Sequence, residues 1–306
     1  MRSTRQVSSI RCCTALLDMT FTAACVQLNS KRTLDENLPT IRELILDAAS
    51  RGANFISLPE CSGAMEPIAE RSRANTPTEE KHAGLPLVAG LARDKGVWIL
   101  VGSFGIKLPG GKIANRSYLF DPNGNVVTTY DKIHMFDVEL GDGQTYRESA
   151  TYEPGACGVV ADLPWGRLGL SICYDVRFAY LYRALAHAGA DFITVPAAFT
   201  KVSGEAHWHV LQRARAIETG CYVISAAQCG THAEGRQTYG HSLIVDPWGK
   251  VLADGGDDVG VITAEIDPAA VAEARRKIPA LTHDREVRIV TPPIKQEAAA
   301  APRLRA

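Results

Sequence analysis

The segment Leu168-Gly169-Leu170-Ser171-Ile172-Cys173-Tyr174-Asp175-Val176-Arg177-Phe178 runs an apolar, strand-like stretch into a cysteine. Polar residues follow at once, and a helical pattern then covers residues 176–188. A cysteine at a strand-to-helix turn lies beside unpaired backbone N–H groups and a helix amino terminus. Both stabilise a thiolate and can hold an oxyanion. Asp175 is placed to cap the following helix. A buried core cysteine is the plainer alternative, but the polar run after Cys173 suggests an edge or a pocket. A nucleophilic thiol needs a base, and His134, His187, His207, His209 and His241 are available. None of them completes a recognised triad pattern, and no G-x-S-x-G elbow offers a serine instead. His207-Trp208-His209 has no third ligand at meaningful spacing, so it reads as the start of a helix and no metal is expected. Neither G-x-x-x-x-G-K-[ST] nor G-x-G-x-x-G is present to cradle a nucleotide.

The elements that must position such a cysteine alternate in type. Residues 33–51 carry Leu34, Leu38, Ile41, Leu44, Ile45 and Ala48, a helical stripe with acids early. Phe55-Ile56-Ser57-Leu58 is a short buried strand, residues 77–95 read as helix, and residues 97–104 as strand. That alternation indicates an α/β layered fold. Pro109-Gly110-Gly111 and Asp121-Pro122-Asn123-Gly124 mark hairpin turns. The chain also repeats weakly: Gly52-Ala53-Asn54-Phe55-Ile56-Ser57-Leu58-Pro59 is echoed by Gly189-Ala190-Asp191-Phe192-Ile193-Thr194-Val195-Pro196. The Asp-Pro-x-Gly turn recurs at Asp246-Pro247-Trp248-Gly249. Two similar halves packed sheet on sheet within one domain account for this. Sites in open α/β sheets gather beyond the carboxyl ends of strands, which makes Glu60, just after Pro59, a candidate.

Composition narrows the function classes. The chain has 306 residues with 33 Lys+Arg against 34 Asp+Glu, a net charge of −1, and 46% hydrophobic residues. A nucleic-acid or polybasic membrane surface needs a surplus of cations that this balance lacks. No apolar run approaches the roughly 20 residues that span a bilayer. Eight cysteines without a C-x-x-C pair read as free thiols of a reducing cytosol, so a cytoplasmic protein is expected. Residues 1–18, with Arg2, Arg5 and Arg11, read as an extension ahead of the fold, and residues 291–306 as a poorly ordered Pro- and Ala-rich tail. The domain is expected over residues 19–290.

Three blocks together resemble the signature of the nitrilase superfamily of carbon–nitrogen hydrolases. They are Leu58-Pro59-Glu60, Tyr130-Asp131-Lys132-Ile133-His134 and the segment from Ile172 to Phe178. Pro196-Ala197-Ala198-Phe199-Thr200, Ala206-His207-Trp208, Ala226-Ala227-Gln228-Cys229-Gly230 and Tyr239-Gly240-His241-Ser242 are similar to the Nit amidases within it. The resemblance implies a four-layer αββα sandwich that dimerises or forms a higher homo-oligomer, with no cofactor. It implies a Glu60–Lys132–Cys173 triad with Glu148 as a second glutamate. Glu60 is then a general base, a role expected to call for a raised pKa, and Lys132 and the Tyr174 amide hold the oxyanion. Phe199 and Thr200 are expected at the substrate, and Arg177 is expected either to pair with a substrate carboxylate or to form a salt bridge at a helix start. The implied reaction is hydrolysis of a small anionic amide, deaminated glutathione, to 2-oxoglutarate and cysteinylglycine. An ω-amidase on 2-oxoglutaramate and an N-carbamoyl amino acid amidohydrolase are alternatives, and a catalytically silent binding protein of the same fold is the alternative from another class. Ala179 stands where the family commonly has proline, which puts the pocket's shape in question more than the triad.

Overall fold

The computed structural model describes residues 20–140 and 145–291. The expectations for residues 1–18, and for all of the C-terminal tail except Thr291, lie outside the described residues. The first half of the chain is built from β1 (Phe21–Gln27), α1 (Leu34–Ser50), β2 (Phe55–Ser57), α2 (Ala69–Asn75), α3 (Gly84–Lys95), β3 (Trp98–Lys107), β4 (Ile113–Phe120) and β5 (Val126–Asp131). Three short strands follow: β6 (Asp137–Glu139), β7 (Thr145–Arg147) and β8 (Tyr152–Glu153). The second half runs through β9 (Val159–Leu163), β10 (Gly166–Leu170), α4 (Ala179–His187), β11 (Phe192–Thr194), α5 (Lys201–Thr219) and β12 (Tyr222–Ser225). It continues through β13 (Cys229–Thr231), β14 (Gln237–Tyr239), β15 (Leu243–Val245), β16 (Val251–Asp254), β17 (Gly260–Ile266) and α6 (Ala269–Lys277).

A seven-stranded sheet has the order β17-β1-β2-β3-β4-β5, with β8 beside β4, and a six-stranded sheet the order β16-β15-β12-β11-β10-β9. Each centres on three parallel strands, β1-β2-β3 in one and β10-β11-β12 in the other. Antiparallel partners flank both trios. The repeat seen in the sequence is thus a structural one: β2 and β11 occupy the same place in their sheets. The two Asp-Pro-x-Gly turns close the equivalent hairpins β4–β5 and β15–β16. In each turn the aspartate Oδ1 accepts two backbone N–H bonds, from Asn123 and Asn125 in one and from Trp248 and Lys250 in the other.

Alternation along the strands makes the layers. In β1, Ala23 and Cys25 face the core shared with the second sheet, whereas Ala24 and Val26 face the helices α1 and α3. Ile41, Ile45 and Ala48 of α1 are fully buried against that outer face, each isoleucine contributing about 1.5–3 kcal/mol. The helix starts where its cap dictates, with the Thr33 N–H donating to Glu36 Oε2 at 3.0 Å. The helix expected over residues 77–95 is shorter, because α3 begins only at Gly84. The residues before it form a 3-10 turn, Glu79–Lys81, and Pro86 falls in the first turn of α3, where proline is tolerated. Ala179, the departure noted above, is the first residue of α4, where the backbone N–H has no helical partner and proline is optional. Among the described residues no helix is long and apolar enough to cross a membrane.

The two halves come into close contact at Gly102 of β3. A Cβ placed there would lie 2.1 Å from the Leu58 carbonyl oxygen and 2.4 Å from Pro196 Cβ. Those neighbours are the carboxyl ends of β2 and β11, and neither backbone can yield without displacing the residues that follow it. Gly102→Ala is therefore expected to lower stability by at least about 3 kcal/mol, the upper range for overpacking. Gly110→Ala, at a turn with nothing within 4 Å, should stay within about 0.5 kcal/mol. Denaturant titration of both variants checks this, and equal stability of the two would refute the close approach.

Candidate active site

Four elements end at one place. Glu60 follows β2, Lys132 follows β5, Cys173 follows β10, and Ala198 follows β11. The Lys132 ammonium is 2% exposed and held between two carboxylates, with Nζ at 2.8 Å from Glu60 Oε1 and at 2.9 and 3.0 Å from the two oxygens of Glu148. Glu148 opens a short 3-10 turn, Glu148–Ala150, and its Oε2 also accepts the Phe136 N–H at 2.6 Å. Asn115 of β4 completes the arrangement. Its Nδ2 donates to Glu60 Oε1 at 2.9 Å and to Glu148 Oε1 at 3.3 Å, so one amide sets the spacing of both glutamates. Sequence reading missed Asn115, since nothing in a strand marks one buried asparagine as part of a site. The other Glu60 oxygen accepts the Ala198 N–H at 2.8 Å.

Cys173 is buried and stands at φ +47°, a left-handed conformation that a residue with a Cβ adopts at a cost. Its N–H donates to the Pro196 carbonyl at 2.9 Å, tying the thiol's residue to the end of β11. The helix expected from Val176 is instead a 3-10 turn, Cys173–Arg177, and α4 begins only at Ala179. Asp175 does not cap that helix. Its Oδ2 accepts from the Ile172 N–H at 2.9 Å and the Tyr130 hydroxyl at 2.6 Å, and its Oδ1 from the His134 N–H at 3.0 Å. The carboxylate is fully buried and satisfied on three sides, so it staples the cysteine turn to the strand that delivers Lys132.

Burial pushes the Cys173 thiol well above the ordinary range, and the Glu60 charge adds to that against the opposing pull of Lys132. Burial would also raise Glu60, but the Lys132 charge and hydrogen bond, the thiol and the Ala198 N–H outweigh it, leaving this carboxyl below its usual value. The expectation of a raised Glu60 is thereby corrected: the adjacent ammonium wins over desolvation. Lys132 is itself penalised by burial, yet its two carboxylates hold its pKa well above the ordinary value. The resting state is therefore an ionised carboxylate facing a protonated thiol, the arrangement a general base requires.

These groups floor a cavity of about 570 Å³ whose lining includes Glu60, Lys132, Glu148, Cys173, Tyr174, Phe199 and Thr200. Arg177 does not line it. Its guanidinium lies over the Phe199 ring at 5.1 Å and the Tyr174 ring at 5.8 Å, with Nη1 at 3.2 Å from His207 Nδ1, so it backs two walls of the cavity. Thr200 is the residue before α5, and its hydroxyl bonds that of Ser203 at 2.7 Å. Away from the cavity, His209 does find polar partners that its sequence neighbours concealed. Asp254 receives His209 Nε2 at 3.0 Å and His241 Nδ1 at 2.8 Å, and these hydrogen bonds account for the trio.

A parallel-cored sandwich with a thiol, a carboxylate and an ammonium at its strand ends defines a hydrolase that works through a covalent cysteine intermediate. The chain belongs to the carbon–nitrogen hydrolase family, whose model matches residues 22–276. A deaminated glutathione amidase of Synechocystis sp. (strain PCC 6803 / GT-S) is 43% identical over 271 residues, covering 86% of this chain and 97% of that protein. The C. elegans NitFhit protein superposes with a TM-score of 0.82 at 35% identity over 87% of this chain, which spans 65% of the NitFhit chain. An amidase of Nesterenkonia sp. AN1, solved with acrylamide added at its active-site cysteine, has a TM-score of 0.72 at 25% identity, covering 85% of this chain and 98% of that one.

The ionisation pattern sets the pH behaviour. A carboxyl whose folded pKa lies below 4.5 contributes stability that is full above the unfolded value and lost only as pH falls through the lower folded one. The base form follows the same course. Turnover efficiency, kcat/KM, is expected to be flat between about pH 6 and pH 8, with its acid limb below about 4.5. A limb centred near 6.5 would assign the base to a histidine, and one near 9 would mean that the thiolate forms without Glu60.

Proposed function

We propose that the protein hydrolyses deaminated glutathione through a thioester on Cys173. The observation that carries this reading is the buried contact of one thiol, one ionised carboxylate and one clamped ammonium on the floor of the cavity. Glu60 takes the Cys173 proton as Sγ attacks the scissile amide carbonyl. Lys132 and the Tyr174 N–H stabilise the oxyanion, each donor worth about 3 kcal/mol in such a site. Protonated Glu60 then gives its proton to the departing amine of cysteinylglycine, and the 2-oxoglutaryl thioester remains on sulfur. Water, deprotonated by Glu60, attacks that thioester, and 2-oxoglutarate leaves with the thiol restored. Glu148 and Asn115 hold Lys132 and Glu60 in place throughout. The six cysteines among the described residues are all free thiols, which supports a reducing, cytoplasmic setting.

The same reading includes a homodimer. Val202, Val210 and Ile217 lie on one face of α5 and are each more than half exposed, with Tyr180 of α4 66% exposed beside this layer. A helix face of this kind is supported in water by a partner of the same shape. Val210→Glu is expected to convert the dimer to monomer in light scattering after size exclusion, while a dimer that persists would place the interface elsewhere.

Mass-spectrometric turnover assays with deaminated glutathione and 2-oxoglutaramate in parallel test the reaction. Preferential release of cysteinylglycine is expected, and its loss in Cys173→Ala by more than about 10³-fold. Turnover surviving in that variant would remove Cys173 as nucleophile, and preference for 2-oxoglutaramate would leave the mechanism but change the substrate.

A further inference from the structure

Arg236 lies between β13 and β14, the hairpin that overhangs the cavity. The preceding Glu234 and Gly235 both take left-handed conformations, φ +55° and +75°, so the turn is tight. Its base is fixed by His232, a buried ring held between the Ser30 carbonyl at 3.0 Å and the Thr238 hydroxyl at 2.7 Å. The guanidinium is thereby delivered to the cavity wall by a rigid support. Its Nη2 donates to the Ala198 carbonyl at 3.3 Å, and its carbon stands 5.7 Å from the Tyr146 ring centre. Its Nε is buried and has no hydrogen-bond partner among the described residues.

This cation also lacks a carboxylate. Among the described residues Arg236 forms no ion pair, although two acids stand on the same cavity wall. Arg32 takes both of them, bonding Glu66 at 3.1 Å and also Glu234. Leaving an arginine N–H buried and unpaired costs stability unless something else supplies the acceptor. A planar guanidinium with free donors fits a carboxylate, which it can meet through two parallel bonds.

Its position relative to the reacting atoms narrows which carboxylate. The Ala198 N–H bonds Glu60 and the Ala198 carbonyl bonds Arg236, so a single residue's backbone separates the base from the cation. The cavity floor also needs such a counter-charge, since it presents two glutamates and one lysine to an anionic substrate. We propose that Arg236 forms an anion subsite that binds the far carboxylate of the acyl chain, so that the enzyme prefers an anionic acyl group to its neutral analogue. This subsite rests on the amidase reading above and names the residue that would set its substrate class.

Glutaramate and glutaramide test it, because they share length and scissile amide and differ only in the far carboxylate. The ratio of their kcat/KM values is expected to fall at least tenfold in Arg236→Gln, chiefly through the KM of glutaramate, and to be partly retained in Arg236→Lys. A ratio equal to that of the unaltered enzyme would overturn the subsite. Calorimetric binding of glutarate to the Cys173→Ala protein, with and without Arg236→Gln, separates the two readings. If neither these amides nor deaminated glutathione turns over, the amidase reading fails, and glutarate binding weakened at least tenfold by Arg236→Gln still supports the subsite. Equal or absent glutarate binding overturns it. Should Arg236→Gln not fold, phenylglyoxal labelling of the unaltered protein decides. Glutarate but not glutaramide is expected to protect Arg236, as read by peptide mass spectrometry, and no protection overturns the proposal.

Discussion

Burying the ammonium of Lys132 is the constraint from which the site follows. An isolated charge moved into a protein interior costs several kcal/mol even after relaxation, and attraction between ions offsets that only with good geometry and further hydrogen bonds. Here two carboxylates contact Nζ at hydrogen-bond distance, Asn115 and the Phe136 N–H give the same oxygens a second donor, and the Ala198 N–H satisfies the Glu60 oxygen that faces away from Lys132. The arrangement has a chemical consequence beyond stability. With an ammonium against it, Glu60 stays ionised despite its burial, and with a carboxylate against it, the thiol stays protonated. The proton is held on sulfur until a carbonyl arrives, so the nucleophile is generated only in the presence of something to attack.

The two-fold repeat supplies the rigidity that such a cluster needs. Glu60 comes from the end of β2 in one half, whereas Cys173 and Ala198 come from the ends of β10 and β11 in the other. Neither half holds the site alone. β17 crosses back to pair with β1 along its whole length, from Phe21 opposite Ile266 to Gln27 opposite Gly260. This exchange locks the sheets in register. Gly102 then lets the ends of β2 and β11 approach within contact of the same backbone, which places the base and the nucleophile's neighbour side by side.

The repeat, the paired turns and the layered class were legible because each depends on local pattern: alternation in strands, Asp-Pro-x-Gly chemistry, a helical stripe. Glu60 was visible by position, after a strand-ending proline, and Cys173 by its place before a polar run. Lys132 and Glu148 drew attention only through resemblance, because a lysine and a glutamate far apart in sequence carry no local sign that they meet in the interior. Asn115, Asp175 and Arg236 show the other limit. Their roles rest on what lies opposite them in space: two glutamates, a tyrosine and a backbone turn, and the wall of the cavity.

Two thiols flank Glu60, and the structure distinguishes them. Cys61 follows it in the chain, lines the same cavity and also has a left-handed backbone, φ +56°. Burial and the nearby Glu60 charge push its thiol up to about 12. The difference lies in what each thiol and backbone can reach. The Cys173 thiol helps keep Glu60 ionised, whereas Glu60 acts on Cys61 only through its charge. The Cys61 N–H is given to the Ser103 hydroxyl at 2.8 Å and the Cys173 N–H to the Pro196 carbonyl at 2.9 Å, so what sets Cys173 apart is the next residue, Tyr174, whose N–H lies in the first turn of a 3-10 segment and has no partner within it. A carbonyl over Cys173 therefore meets a base, an ammonium and donors for its developing charge, and one over Cys61 meets only a protonated sulfur. Reactivity at this site is a property of the surroundings that the two halves bring together, since a cysteine with a left-handed backbone and a raised thiol is common to both positions.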